Sequence, residues 1–499
     1  MRASGILMPI SSLPSPYGIG TMGAAARSFV DFLVKAGQAY WQILPVCPTS
    51  YGDSPYQSFS TFAGNPYFID LDDLAKQGLL LPEEYASIDW ECTPDCINYG
   101  VMYEKRYAVL RCAAKRLLAK PGADYCRFVK ENDFWLPDYA LFMALKDAHN
   151  GACWLEWEEP LRRREPAALA AARQQYADDV AFWQAVQFMF YSQWQALKHY
   201  ANRQEIRIIG DLPIYVALDS VDVWSCPQEF QLDENLLPTE VAGCPPDGFS
   251  ATGQLWGNPL FDWDSMAKTG YAWWVRRIKH MCSTYDVVRI DHFRGFAGYY
   301  AIPYGEATAR NGRWREGPGY ALFAAIKKKL GSPRIIAEDL GFLTEDVTAL
   351  LKQCGYPGMK VLEFAFDSRD TGSASDYLPH NYPVNSVAYT GTHDNETLVS
   401  WYQTVTDAER AMVRDYLYDY ATPEEQLYKS MIALILRSAA ATCIVPMQDW
   451  LGLDNSARIN KPSTVGQNWR WRLKKTQLSK KLQKEICQLT TRYGRMNWA

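Results

Sequence analysis

Short apolar, β-branched runs recur along the chain, separated by segments of helical periodicity, and this alternation restricts the fold more than any other feature. Eight runs qualify: Gly5–Ile10, Trp41–Val46, Ile206–Gly210, Val287–Ile290, Arg334–Ala337, Met359–Phe366, Ser386–Thr390 and Thr442–Pro446. Helix patterns lie between them, such as Ala24–Ala36, Tyr320–Leu330 and Thr344–Cys354, each followed by a glycine (Gly37, Gly331, Gly355) that can end it. Continuous apolar strands alternating with helices belong to parallel sheets covered on both faces, and eight such units predict an α/β fold of the (β/α)8 barrel type. Length alone would divide 499 residues into about three domains. No Gly/Ser-rich linker separates them, so the expectation is one barrel domain over residues 1–499. Two intervals are too long for plain crossovers, roughly 160 residues after the second run and roughly 75 after the third, where a dozen or more suffice. They predict mainly helical insertions at 47–205 and 212–285, the first holding a helix over Gln184–Tyr200.

Composition removes several function classes. With 51 Lys+Arg against 56 Asp+Glu, the net charge of −5 gives no long-range pull on nucleic acid or anionic membranes. The greasiest stretch, Met431–Met447, is interrupted by Arg437 and Ser438, so no membrane span is expected. Twelve cysteines without a CxxC pair, and no visible export signal, predict reduced thiols and a cytoplasmic location. No HxH or helical His pair offers metal-ligand spacing, and no metal or cofactor is expected. The stretch Gly18–Gly23 matches GxGxxG, but Pro14 and Pro16 lie between it and the preceding run. The next run ends Leu44-Pro45-Val46-Cys47 without an acid for a ribose, so the stretch reads as a flexible loop near the site rather than a dinucleotide fingerprint. Around Lys474–Lys484, the residues Leu478, Leu482, Ile486 and Leu489 recur at helical spacing and predict a docked C-terminal helix.

In a (β/α)8 barrel the reactive residues sit where strands end and loops begin. Acids occupy those places here: Asp211 after the third run, Asp291-His292 after the fourth, Glu338-Asp339 after the fifth, and His393-Asp394 after the seventh. Each acid alone could cap the following helix. Together they would crowd negative charge on one rim, with Arg289, His292 or His393 to offset it. Two carboxyls flanking a bond suit glycoside chemistry, and aromatic faces pack against sugar rings. Aromatic residues make up 14% of the chain, and Tyr51, Tyr56, Trp256 and Trp314 fall in expected loops as candidate platforms.

Five segments, in this order along the chain, are specific: Gly52-Asp53-Ser54-Pro55-Tyr56-Gln57, Trp256-Gly257-Asn258-Pro259, Arg289-Ile290-Asp291-His292-Phe293-Arg294-Gly295, Ala337-Glu338-Asp339-Leu340-Gly341 and Gly391-Thr392-His393-Asp394-Asn395. Together they resemble the amylomaltases, the 4-α-glucanotransferases (disproportionating enzymes) of glycoside hydrolase family 77, over most of the chain. The resemblance implies a TIM barrel of the α-amylase superfamily type. It also implies retaining transfer of α-1,4-glucan segments between maltooligosaccharides, starch or glycogen dextrins, and glucose. Carried over by position, it makes Asp291 the nucleophile, Glu338 the general acid/base and Asp394 the acid that stabilises the transition state. It places Arg289, Asp211, His393, Ser54, Tyr56, Trp256, Asn258, Pro259 and Asn460 along the glucan cleft. Ser463 stands where the family usually has glycine, which bears on the shape of a late cleft loop. An α-glucan hydrolase of the same superfamily and a catalytically silent glucan-binding protein are the alternatives.

Overall fold

The computed structural model describes every residue except 1, 51, 247–249, 342, 369–373 and 498–499. Its strands in chain order are β1 (Ala3–Leu7), β2 (Tyr40–Gln42), β3 (Arg207–Leu212), β4 (Glu240–Cys244), β5 (Gln254–Pro259), β6 (Val287–Ile290), β7 (Gly298–Pro303), β8 (Arg313–Glu316), β9 (Ile335–Ala337), β10 (Gly358–Val361), β11 (Ser386–Tyr389) and β12 (Thr442–Pro446). Eight of these coincide with the eight expected runs and pair in parallel in the order β10-β11-β12-β1-β2-β3-β6-β9. The ends of that row meet where Ala337 N–H donates to the Pro357 carbonyl at 3.0 Å, giving a near-closed (β/α)8 barrel.

Side chains alternate across each strand, and the alternation decides which residues face the barrel axis. Leu7, Ile209, Val287, Ile336, Met359, Val387 and Ile444 fill the interior as one cluster. Their neighbours Ile6, Ile208, Val288, Ile335, Ala388 and Val445 pack outward in the larger core that includes the surrounding helices. Two residues beyond Ile209 and Val287 come Asp211 and Arg289, on the same inward face. Period two thus carries polar groups up the barrel axis to its C-terminal mouth.

The elaborations differ from the expected ones in two respects. The helix expected over Gln184–Tyr200 is the middle of a longer one, Ala177–Arg203, which packs against β3 and the barrel helix Ala24–Lys35. The segment Trp256–Pro259, expected as a loop, is part of β5, the edge of a four-stranded antiparallel sheet ordered β5-β4-β7-β8. Gly257 at φ 76° and Pro259 disguise this strand in the sequence, and an edge position tolerates both. Half of this sheet comes from residues between β6 and β9, where no insertion is expected. Helix Ala272–Thr284, inside the second long interval, packs on β3 and β6 as a barrel helix.

The glycine-rich stretch Tyr17–Gly23 is packed, which corrects the reading of it as flexible. A Cβ on Gly20 would stand 1.9 Å from the Ile10 carbonyl, and one on Gly23 1.9 Å from the Asp70 carboxylate. The Thr21 hydroxyl donates to that carboxylate at 2.6 Å. These glycines serve close approach of chain segments rather than movement. The C-terminal helix Lys480–Arg492 buries Leu482 and Ile486, as its spacing predicts. Among the described residues no helix is long and apolar enough to cross a membrane.

Candidate active site

The C-terminal mouth of the barrel gathers the acids at the ends of β3, β6, β9 and β11, and Arg289 bridges two of them. Arg289 Nη1 donates to both oxygens of Asp211, at 2.7 and 2.6 Å, and to Asp291 Oδ1 at 3.0 Å. The side chains of Arg289 and Asp211 are 3% and 0% exposed, whereas that of Asp291 keeps 28% exposure. The Tyr56 hydroxyl also donates to Asp211 Oδ2, at 2.7 Å, so that oxygen accepts twice. Asp291 itself is held by its main-chain N–H, which donates to the Leu212 carbonyl at 2.9 Å and ties the end of β6 to the end of β3.

Among the described residues no cation bonds Glu338 directly. Its Oε2 accepts the His292 N–H at 2.6 Å and its Oε1 the Leu340 N–H at 2.9 Å. His292 adopts the left-handed region, φ 52°, an uncommon conformation for a residue with a side chain. Asp394 is anchored differently: Asn460 Nδ2 donates to its Oδ1 at 2.6 Å, Arg458 Nη2 to its carbonyl at 2.6 Å, and His393 Nε2 lies 3.3 Å from the carboxylate. Tyr56 stacks on His393 with ring centroids 5.1 Å apart, and Trp469 leans on both rings.

Burial governs the charge states here. It pushes the Glu338 carboxyl up to about 7, and the Asp291 charge adds to the rise. Asp291 is likewise pushed up to about 7 by burial, with Arg289 opposing and the charges of Asp211 and Asp394 reinforcing. Near neutral pH such a pair shares a proton. The direct bond from Arg289 favours Asp291 as the ionised member and leaves the proton to Glu338. Burial also drives His292 down to about 3 and lowers His393, so both imidazoles are neutral. The expectation that histidines offset the acids is therefore corrected: Arg289 supplies the positive charge.

The other expected cleft residues divide into two groups. Tyr56, His393 and Asn460 sit beside the acids, as does Trp256, whose ring meets His292 edge-on at 4.8 Å. Ser54 and Asn258 spend their side chains on protein. The Ser54 hydroxyl accepts the Tyr56 N–H at 3.2 Å, while Asn258 donates to the Val216 carbonyl at 2.8 Å and accepts from Gln57 at 3.1 Å. Asn258 and Pro259 are buried at the end of β5. Trp314 lies on β8 rather than on a loop, with the Arg294 guanidinium over one face at 4.3 Å. Tyr51 lies outside the described residues. Trp469 and Arg458 join the site without any spacing signal to mark them. Ser463 adopts φ 64°, a backbone region that favours glycine, which accounts for its departure being conspicuous.

Residues 8–478 match the family model described as 4-alpha-glucanotransferase. The 4-alpha-glucanotransferase of Clostridium butyricum is 49% identical over 489 residues, covering 98% of this chain and 100% of that protein. The 4-alpha-glucanotransferase of Thermus thermophilus is 46% identical over 487 residues, covering 96% of each. An amylomaltase from Streptococcus agalactiae, solved in complex with acarbose, superimposes with a TM-score of 0.96 at 43% identity and full coverage of both chains. An amylomaltase from Corynebacterium glutamicum, 18% identical, shares the fold with a TM-score of 0.78 over 98% of this chain and 75% of that one. With acids, barrel and overall similarity in agreement, the chain belongs to glycoside hydrolase family 77, the 4-alpha-glucanotransferases.

Proposed function

We propose that the protein transfers α-1,4-glucan segments between maltooligosaccharides, or starch or glycogen dextrins, and acceptors that include glucose, by retaining double displacement at Asp291. Glu338 protonates the glycosidic oxygen while Asp291 attacks the anomeric carbon, and a glycosyl-enzyme ester forms as the leaving chain departs. Glu338, now ionised, takes the proton of an incoming sugar hydroxyl, which attacks the ester and frees Asp291. Asp394, fixed by Asn460, stabilises positive charge on the sugar ring in both transition states. The stacked rings of Tyr56, His393 and Trp469 offer an apolar wall to a pyranose beside these acids.

The unequal partners of the two carboxyls carry this reading. Asp291 has the guanidinium of Arg289, whereas among the described residues the hydrogen-bond donors to Glu338 are main-chain N–H groups, a division that keeps one acid ionised and the other protonated. A single catalytic barrel domain with insertions at its mouth fits these elements. All twelve cysteines are free thiols, which suits the reducing cytoplasm.

Transfer rather than hydrolysis requires a bound hydroxyl to outcompete water, which a positioned acceptor does through its effective molarity. Incubation with maltotriose is expected to give glucose together with a ladder of longer chains, and Asp291→Asn to abolish both. Accumulation of shorter sugars alone would make the protein an α-glucan hydrolase. Product formation unchanged in Asp291→Asn would overturn the site assignment.

A further inference from the structure

Asp339 follows Glu338 in sequence, yet it points away from the cleft and into the seam where the barrel closes. Between β9 and β10 there is no strand ladder among the described residues; the main-chain bond from Ala337 to Pro357 is followed by one from Met359 N–H to the Asp339 carboxylate, at 2.6 Å. A carboxylate thus stands where the next carbonyl of a ladder would be. Asp339 is 4% exposed, and a Cβ on Gly358 would come within 2.4 Å of it, so glycine at 358 is what lets the acid enter the seam.

The residue pinned in this way is Met359, whose side chain runs inward to the barrel axis and ends beneath Arg289. Arg289 Nε donates to the Met359 sulfur at 3.4 Å. Nη1 of the same guanidinium serves Asp211 and Asp291. Met359 is 1% exposed and Arg289 3%, so the contact lies inside the barrel. One residue therefore touches both halves of the catalytic pair: through its main chain the strand end that carries Glu338, through its thioether the cation that holds Asp291.

We propose that Met359 is a positioning residue, its thioether fixing the Arg289 guanidinium, and with it Asp291, at a set place relative to Glu338. The inference rests on the assignment of Asp291 and Glu338 given above. A thioether is a weak acceptor, so its use here reflects geometry. Nε–H points down the barrel, away from the acids, and an unsatisfied donor there would favour rotation of the guanidinium toward the cleft. The titratable and charged groups that face Asp291 are Asp211 on β3, Arg289 on β6, Glu338 and Asp394 beyond β9 and β11, and the Tyr56 hydroxyl on the loop after β2. Of these only Arg289 is cationic. Loosening it raises the pH at which Asp291 ionises.

The test is steady-state disproportionation of maltotriose across pH by the whole enzyme, with Met359→Leu and Met359→Gln. Leucine keeps the volume and removes the acceptor, and such swaps are tolerated in cores. Met359→Leu is expected to lower kcat by about tenfold, with KM within about twofold, and to move the acid limb of kcat/KM to higher pH. Met359→Gln, which returns an acceptor oxygen, is expected to recover most of kcat and to move the limb back. Wild-type kcat and pH profile in Met359→Leu would overturn the proposal. So would equal losses in both variants with the limb unmoved, which is the signature of altered packing alone. Asp291→Asn in parallel separates the two levels: if it stays active, the site assignment itself has failed, whereas loss of activity there beside an unaffected Met359→Leu refutes only the role of Met359.

Discussion

Glu338 illustrates how a single residue trades stability for chemistry. Burial and the Asp291 charge lift its carboxyl to about 7 in the folded protein, above the value of about 4.3 for an unfolded chain. Between those two values the native state binds the extra proton. The favourable contribution is complete below the lower pH and is lost as pH rises through the higher one. Glu338→Gln keeps the shape and removes the titration. Its denaturant midpoint should match the wild type near pH 4 and exceed it near pH 8 by about 1–2 kcal/mol, while activity is lost. A deficit that is the same at both pH values would show that burial does not set the protonation of this residue. Asp291 and Glu338 are legible in the sequence because each directly follows a strand run, and Asp394 because it stands four residues beyond one. Met359 and Trp469 are not, because an inward side chain on a strand and a tryptophan in a late loop look like ordinary core.

The loop after β11 shows how an element is made to present one acid. Thr392 donates its N–H and its hydroxyl to Asn395 Oδ1 at 2.9 and 2.8 Å, which turns the amide nitrogen of Asn395 toward Glu363 Oε2 at 3.0 Å. Thr392 Oγ1 in turn accepts the Asp394 N–H at 3.2 Å. Glu363 is 6% exposed, and burial, together with Asp449 and Glu396 against the Asn395 hydrogen bond and the weaker pull of Arg458, holds its carboxyl well above the usual range. This acid acts as a neutral acceptor, a role an amide can fill. Glu363→Gln should therefore keep kcat within about twofold, and Glu363→Leu, which strands the Asn395 amide, should lower it by about tenfold in the maltotriose assay. Equal damage from both would mean that the negative charge is needed. The barrel strands of this and the other units are readable as continuous apolar runs, since both their faces are buried. The sheet of β4, β5, β7 and β8 is not, because glycine, proline and a bulge between Val241 and Gly243 break its alternation.

The whole molecule is a barrel whose last seam, between β9 and β10, shows no ladder among the described residues and is closed by one main-chain bond and the Asp339 carboxylate. The long intervals and the antiparallel sheet elaborate the barrel, and many of the aromatic residues that enrich the chain are buried within them, as Trp154, Trp194 and Trp224 are. The small net charge of −5 suits a neutral glucan, met by acids concentrated at one end of the barrel. Double displacement requires that Asp291 become covalently glycosylated, and Glu338→Gln isolates that step. An α-maltosyl fluoride donor needs no acid to release fluoride, so this variant should still form the ester but lack the base to discharge it. Mass spectrometry of the reacted protein, followed by peptide mapping, is predicted to find one maltosyl unit on Asp291. No adduct, or an adduct on another residue, would contradict the account.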